Sequence, residues 1–171
     1  MIAEIIGRLT RRFTGSARRA VVASMDEAHS RGRDSVGDED LLLGVLASDR
    51  GVYRIAEDLG FGAVDVREEL ERMFADSLRT IGIDYEEVKQ GAGGSVRFSG
   101  AGNRRIAFSP LAKRALEESL EVALELRENE IRAEHVLLGA LRLRNGRAAR
   151  ALENLGVDIE ELKRRLEARE G

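Results

Sequence analysis

The chain of 171 residues has no cysteine, which excludes a disulfide framework, a thiolate zinc site and a cysteine nucleophile. That is compatible with a reducing compartment, and the expected location is cytoplasmic. Aromatic residues make up only 4% and β-branched runs are short, so strand signals are scarce. A net charge of −3 lacks the basic excess that nucleic-acid binding needs. The Arg11-Arg12 and Arg18-Arg19 cluster, with no interleaved aromatics beyond Phe13, reads as a solvated face. No stretch approaches the roughly 18 apolar residues that span a bilayer. In the N-terminal MIAEIIGRLTRRF the basic residues follow the apolar part, the reverse of a secretory signal, and the segment is expected to pack on the domain or fray. The two histidines, His29 and His135, have no repeated acidic partner at ligand spacing, so neither a metal nor another cofactor is expected. No GxSxG nucleophile elbow occurs. What remains is ordinary globular composition, 43% hydrophobic and 35% charged, enough for one domain or two small ones.

What the chain does have is a repeat. GDEDLLLGVL at residues 37–46 returns as RAEHVLLGAL at 132–141. A shift of 95 positions aligns Phe13-Thr14 with Phe108-Ser109, Ala17-Arg18-Arg19-Ala20 with Ala112-Lys113-Arg114-Ala115, Glu39 with Glu134, and Leu42-Leu43-Gly44 with Leu137-Leu138-Gly139. One inserted residue later, Leu59-Gly60 meets Leu155-Gly156. The unit is a tandem duplication, longer than common solenoid repeats.

Each unit reads as four helices, and the fold class is all-α. In the first, Thr14 is the expected N-cap of a helix carrying Ala17, Val21, Met25 and Ala28 at helical spacing. DEDLLLGVLAS starts a second helix with acids in its first turn, where the dipole favours them. GVYRIAEDLG gives a third, ended by Gly60, and AVDVREELERMFADSL a fourth. The second unit repeats this order, with Pro110 just inside the start of its first helix, where a missing N–H costs nothing. Leu41, Leu42, Leu43, Val45 and their partners are expected core. Residues 1–11 read as an N-terminal extension, 12–88 as the first unit with an extended end, 89–105 as a Gly/Ser-rich flexible linker, and 106–171 as the second unit. TIGIDYEEVK, before the linker, echoes NLGVDIEELK near the end of the second unit.

These residues together resemble the Clp repeat of the Clp N-terminal domain, most of all that of ClpC-type AAA+ unfoldases. The family hallmark, Gly-Thr-Glu-His before an apolar Leu-Leu-Gly run, stands here as Gly37-Asp38-Glu39-Asp40 and as Arg132-Ala133-Glu134-His135, so only the Glu is kept in both copies. The resemblance covers about residues 12–76 and 106–168. It implies two tandem four-helix Clp repeats packed with pseudo-two-fold symmetry, forming one domain. No G-x-x-x-x-G-K-[ST] loop of an ATPase module occurs, so no enzyme is expected. The chain is either a stand-alone protein of this kind or an N-terminal part of a longer one, and the long connection favours the former.

Glu39 and Glu134 have two readings. Each is a first-turn acid stabilised by the helix dipole, by about 0.3–1 kcal/mol. Alternatively the two carboxylates, with the hydroxyls of Thr14 and Ser109, make paired pockets for a cationic ligand, the carboxylate taking a guanidinium and helix N–H groups an attached anion. In the ClpC-type family the corresponding residues bind phosphoarginine, a degradation mark. The resemblance thus implies one pocket of Thr14 with Glu39 and another of Ser109 with Glu134. Asp38 adds negative charge beside Glu39 and Arg132 adds positive charge beside Glu134, so the two are expected to differ. Actinobacterial members also bind cyclic-peptide antibiotics between their two first helices. The matching positions are Arg18, Phe108, Lys113 and Glu117, although Thr10 stands where the family has a Phe. The implied function is a non-catalytic binding module of Clp proteolysis, acting as adaptor, decoy or modulator. Its partners would be Clp protease components, substrates or adaptors, with antibiotic sequestration as the alternative.

Overall fold

The structure is a computed structural model that describes residues 8–91 and 106–169. Residues 8–12 are helical and bury Leu9, so this part of the N-terminal extension packs on the domain. The first unit then comprises α1 (Gly15–Ser30), the short strand β1 (Ser35–Val36), α2 (Asp38–Ser48), α3 (Arg50–Asp58) and α4 (Ala63–Thr80), followed by α5 (Tyr85–Gly91). The second comprises β2 (Ala107–Phe108), α6 (Pro110–Glu125), α7 (Ala133–Leu141), α8 (Arg147–Asn154) and α9 (Ile159–Glu167). The all-α expectation holds, with the strands among the described residues reduced to a two-residue parallel pair and one isolated bridge.

The helices begin where side chains satisfy their orphan N–H groups. Thr14 Oγ1 accepts from Ala17 N at 3.3 Å, and Ser109 Oγ from Ala112 N at 3.1 Å, opening α1 and α6 alike. Asp49 caps α3 through Val52 N, and Asp158 caps α9 through Glu161 N, each at 3.0 Å. The third helix of each unit ends at a left-handed glycine, Gly60 at φ +83° and Gly156 at φ +75°, a conformation that an L side chain resists.

The repeat becomes a pseudo-two-fold pairing in which the units exchange partners. Val36 pairs with Phe108, and its mate, 95 residues on, is the bridge between Ile131 and Phe13. Helices α2 and α7 pack against each other at the centre, while α4 packs on α8 and α9 on α3, so the fourth helix of each unit covers the third helix of the other. Leu41, Leu42, Leu43, Val45 and Val136, Leu137, Leu138, Ala140 are buried at this centre, as expected from their apolar runs. At roughly 25 cal/mol per Å2 of apolar surface removed from water, these side chains supply much of the drive for association of the units. Gly44 and Gly139 let the second helix of each unit approach the first. A Cβ at either would lie 2.7 Å from the backbone N of Ser24 or Ser119, respectively.

The segment expected as a flexible linker from residue 89 is helical to Gly91, since α5 runs through its first three positions; residues 92–105 lie outside the described part. The echo noted in TIGIDYEEVK is structural, because Tyr85 begins α5 just as Ile159 begins α9. Among the described residues no helix is long and apolar enough to cross a membrane.

Candidate binding site

Glu39 and Glu134 lie in the first turns of α2 and α7, and both are buried, at 1% and 3% exposure. The preceding backbone is extended in both units, at φ −95°, ψ 172° for Gly37 and φ −98°, ψ 171° for Arg132. Each first turn is closed by the residue after the Glu. Gly37 N donates to Asp40 Oδ2 at 2.8 Å, and Arg132 N donates to His135 Nδ1 at 2.9 Å. Histidine thus does in the second unit what aspartate does in the first, and Nδ1 must stay unprotonated to do it.

The hydroxyls do not sit as expected. Thr14 N and Thr14 Oγ1 both donate to Ile131 O, at 3.0 and 3.1 Å, and Thr14 Oγ1 contacts Ser16 Oγ, which accepts from Ala133 N at 3.3 Å. Ser109 N donates to Val36 O at 2.8 Å. Thr14 therefore stands, through backbone and hydroxyl alike, at the segment leading into the Glu134 turn, and the backbone of Ser109 stands at the segment leading into the Glu39 turn. The expectation matched Thr14 with Glu39 and Ser109 with Glu134, whereas the fold sets each residue next to the segment before the other unit's glutamate. The physical reason is the exchange of β-pairing between units, which carries residue 14 to 131 and residue 109 to 36.

Both carboxylates hold guanidinium groups of the chain itself. Glu39 Oε1 pairs with Arg33 Nη1 and lies 3.6 Å from Arg147 Nη1. Burial pushes the Glu39 carboxyl up, but the Arg33 guanidinium outweighs it and holds the group below the usual range. Glu134 Oε2 accepts from Arg169 Nη1 at 3.3 Å, and Glu134 Oε1 is 3.0 Å from Arg132 Nε, which has no hydrogen-bond partner. The neighbours of Glu39 are also acidic and buried. Asp40, paired with Arg31 at 3.1 Å, is raised by burial. Burial pushes Asp38 up to about 6; its Oδ2 accepts from Ala148 N of α8 at 2.9 Å, while its Oδ1 is buried without a partner.

Thus the two turns differ as the sequence suggests, and the charges are partly inverted. Arg33 in the first unit corresponds to Glu128 in the second, where Glu128 pairs with Arg132 at 2.5 Å. Of the arginines at these carboxylates, Arg132 was legible from the repeat, whereas Arg33, Arg147 and Arg169 were not. Arg147 corresponds to Val52, and Arg169 lies beyond the matched region, so spacing gave no signal for either.

The residues of the expected antibiotic surface are scattered in role. Arg18 is exposed and donates to Thr10 O at 3.4 Å; Phe108 is half-buried in the β-pair; Lys113 is half-buried; Glu117 pairs with Arg114 at 3.3 Å. Two surface depressions of about 410 Å3 lie elsewhere, one on α9 around Glu161 and Arg164, the other around Arg79, Ile83 and Tyr85. Neither includes Thr14, Glu39, Ser109 or Glu134; the two glutamates are buried against arginines of the chain itself. Among the described residues no group of three or more His, Asp or Glu is placed to hold a metal ion.

Comparison with known proteins agrees with this architecture. Residues 107–170 match the Clp repeat (R) N-terminal domain. Over 160 residues, 93% of this chain, the sequence is 34% identical to a chloroplastic ClpA homolog, an ATP-dependent Clp protease ATP-binding subunit of Brassica napus. Over 153 residues, 89% of this chain, it is 36% identical to the chloroplastic chaperone protein ClpC2 of Arabidopsis thaliana. The chain spans only 16% and 14% of the length of these relatives. The N-terminal domain of the chaperone ClpD from Arabidopsis thaliana superposes with a TM-score of 0.67 at 25% identity, covering 91% of this chain and 95% of that one. The Hsp104 N-terminal domain from Candida albicans shares the fold, with a TM-score of 0.63 at 11% identity over 90% of this chain and 88% of that one. With its duplicated unit, reciprocal β-pairing and paired acidic turns, the chain belongs to the Clp N-terminal domain family.

Proposed function

We propose that the chain is a non-catalytic recognition module of Clp-type proteolysis, working in the cytoplasm as an adaptor, decoy or modulator. In this reading Glu39 and Glu134 take guanidinium groups of client proteins, phosphoarginine among them. One observation carries the reading: two buried carboxylates, 95 residues apart at equivalent helix starts, each hold a guanidinium. A buried carboxylate is costly unless a charged donor satisfies it, and a planar guanidinium fits that role. Thr14 and Ser16 beside the Glu134 turn add hydroxyls for an attached anion, with the first N–H groups of α7 nearby.

The experiment is calorimetric titration of phosphoarginine, then of arginine, into the chain and its Glu39→Ala, Glu134→Ala and double variants. Stepwise loss of phosphoarginine heat with each substitution is expected. Absence of binding by folded protein, or binding untouched by the double variant, overturns the reading.

A further inference from the structure

Glu134 is hydrogen-bonded to a guanidinium that arrives from 35 residues further along the chain. Arg169 lies one position past Ala168, the C-cap of α9, and its Nη1 reaches Glu134 Oε2 at 3.3 Å and Asp49 Oδ1 at 3.0 Å. One guanidinium thus ties the α7 start of the second unit to the α3 cap of the first. It rests on Gly51, where a Cβ would come within 2.7 Å of Arg169 Cζ. In the pseudo-symmetric position, Gly146 faces the Asp38 carboxylate instead. The other cation beside Glu134, Arg132, has its Nε buried without a hydrogen-bond partner. It already spends Nη2 on Glu128. Arg169 is therefore the guanidinium that Glu134 is bonded to, and its side chain remains 27% exposed above a carboxylate that is 4% exposed.

We infer that Arg169 is a built-in competitor at the Glu134 seat: a guanidinium-bearing ligand binds there by exchange with Arg169, between Glu134 and Asp49. The inference rests on the reading of Glu134 as a ligand seat. Arg169 suits this role better than Arg33 does at Glu39. Arg33 lies in the turn between α1 and β1 and faces both Glu39 and Asp40, at ion-pair distance from each. Arg169 instead follows a completed helix; its guanidinium is about as exposed as that of Arg33, 27% against 29%, but one of its two carboxylate partners, Asp49, is itself 12% exposed, where solvent weakens the pair. When it leaves, Glu134 and Asp49 face the same space from two units. An incoming guanidinium restores the lost charge balance, so exchange leaves no buried carboxylate unpaired. Occupancy by Arg169 lowers the apparent affinity of any external ligand by the fraction of time the seat is free.

The test uses the whole chain, with ethylguanidinium as a probe carrying the guanidinium alone and phosphoarginine as a probe carrying an anion as well. Arg169→Ala, checked for an unchanged far-UV spectrum, is expected to bind ethylguanidinium about tenfold more tightly than the parent, as a mostly occupied seat is set free. Adding Glu134→Ala to that variant abolishes the gain. Millimolar ethylguanidinium also raises the melting temperature of Arg169→Ala while leaving the parent unmoved, a readout independent of calorimetry. Equal affinities of parent and Arg169→Ala, both lost with Glu134→Ala, overturn the competitor role and leave the seat standing. No binding of either probe to the parent, to Arg169→Ala or to Arg33→Ala overturns the seat itself, and the competitor with it.

Discussion

The Glu39 carboxylate is folded back onto Gly37, so that a methyl group at Gly37 would lie 2.7 Å from Glu39 Cδ. The second unit has Arg132 at this position with nearly the same backbone angles, and there the carboxylate of Glu134 turns to Arg132 and Arg169 instead. A side chain at Gly37 would thus meet the carboxylate where it now lies.

Gly37→Ala tests that relationship. The backbone angles suit any residue, and the atoms in the way are the far end of a flexible side chain, so the variant folds and Glu39 gives way. The expected cost is about 1–2 kcal/mol, because the carboxylate leaves Arg33 while remaining near the buried acids Asp38 and Asp40. Urea unfolding at pH 7 measures it, and an unchanged midpoint speaks against the contact.

Gly44 and Gly139 face a harder constraint, since the atoms against them are backbone rather than side chain. Neither Ser24 nor Ser119 can rotate away, because the contact is with N and Cα. Gly44→Ala and Gly139→Ala must each push the first helix of a unit off the second, at about 3 kcal/mol or more. Thermal melts are expected to show a large and similar loss for each, as the pseudo-two-fold geometry requires. An alanine tolerated at one position and not at the other breaks that symmetry.

Much of this was written in the sequence. The 95-residue shift located the helices, the cap at Thr14, the buried leucine runs and both acidic turns, because local chemistry is repeated where local structure is repeated. The shift states which residues correspond, however, and not which unit each one touches. Thr14 was therefore matched to Glu39, whereas β-pairing between units places it beside the Glu134 turn. Three of the guanidinium partners were illegible for another reason. Arginine side chains reach across folds, and Arg33, Arg147 and Arg169 occupy positions where the repeat is broken, so no periodicity announces them.

His135 and Asp38, one in each acidic turn, respond to pH in opposite directions. Burial holds the His135 imidazole below its usual range, so as pH falls through about 6.5 the unfolded chain takes up a proton that the folded chain refuses. Stability is lost on that descent, and protonation of Nδ1 removes the acceptor for Arg132 N. Asp38 works the other way. Its carboxyl is moved from 3.8 to about 6, so the folded chain keeps a proton over that interval which the unfolded chain has released. Its contribution is present below about pH 4 and is lost as pH rises through 6. Asp38→Asn retains an acceptor for Ala148 N and offers Glu39 a donor; it is expected to gain on the order of 2 kcal/mol at pH 7.5 and little at pH 4. His135→Asn is expected to flatten the slope between pH 7 and 5. Unfolding midpoints across that range separate the two, and slopes unchanged by either substitution refute the assignment.

The Arg33–Glu39 pair completes the account, because its two halves are not equally replaceable. Arg33 is partly exposed, whereas Glu39 is buried beside Asp38 and Asp40. Removing the arginine leaves negative charge in the interior without its nearest counterion, at a cost of about 3–5 kcal/mol. Removing the glutamate leaves a guanidinium that can turn to water or to Asp40, 3.9 Å from Nη1, and the loss is about 1–2 kcal/mol. Arg33→Ala is therefore expected to be markedly worse than Glu39→Ala. The double variant should recover much of the difference, since the stranded carboxylate is gone with its partner. A thermodynamic cycle from urea unfolding at pH 7.5 gives the coupling directly. A sizeable coupling with that asymmetry identifies the pair as a buried ion pair whose carboxylate needs a guanidinium, the property on which recognition by exchange depends. Additive losses mean that Glu39 is held by the helix start alone, and a ligand would then find no preformed seat there.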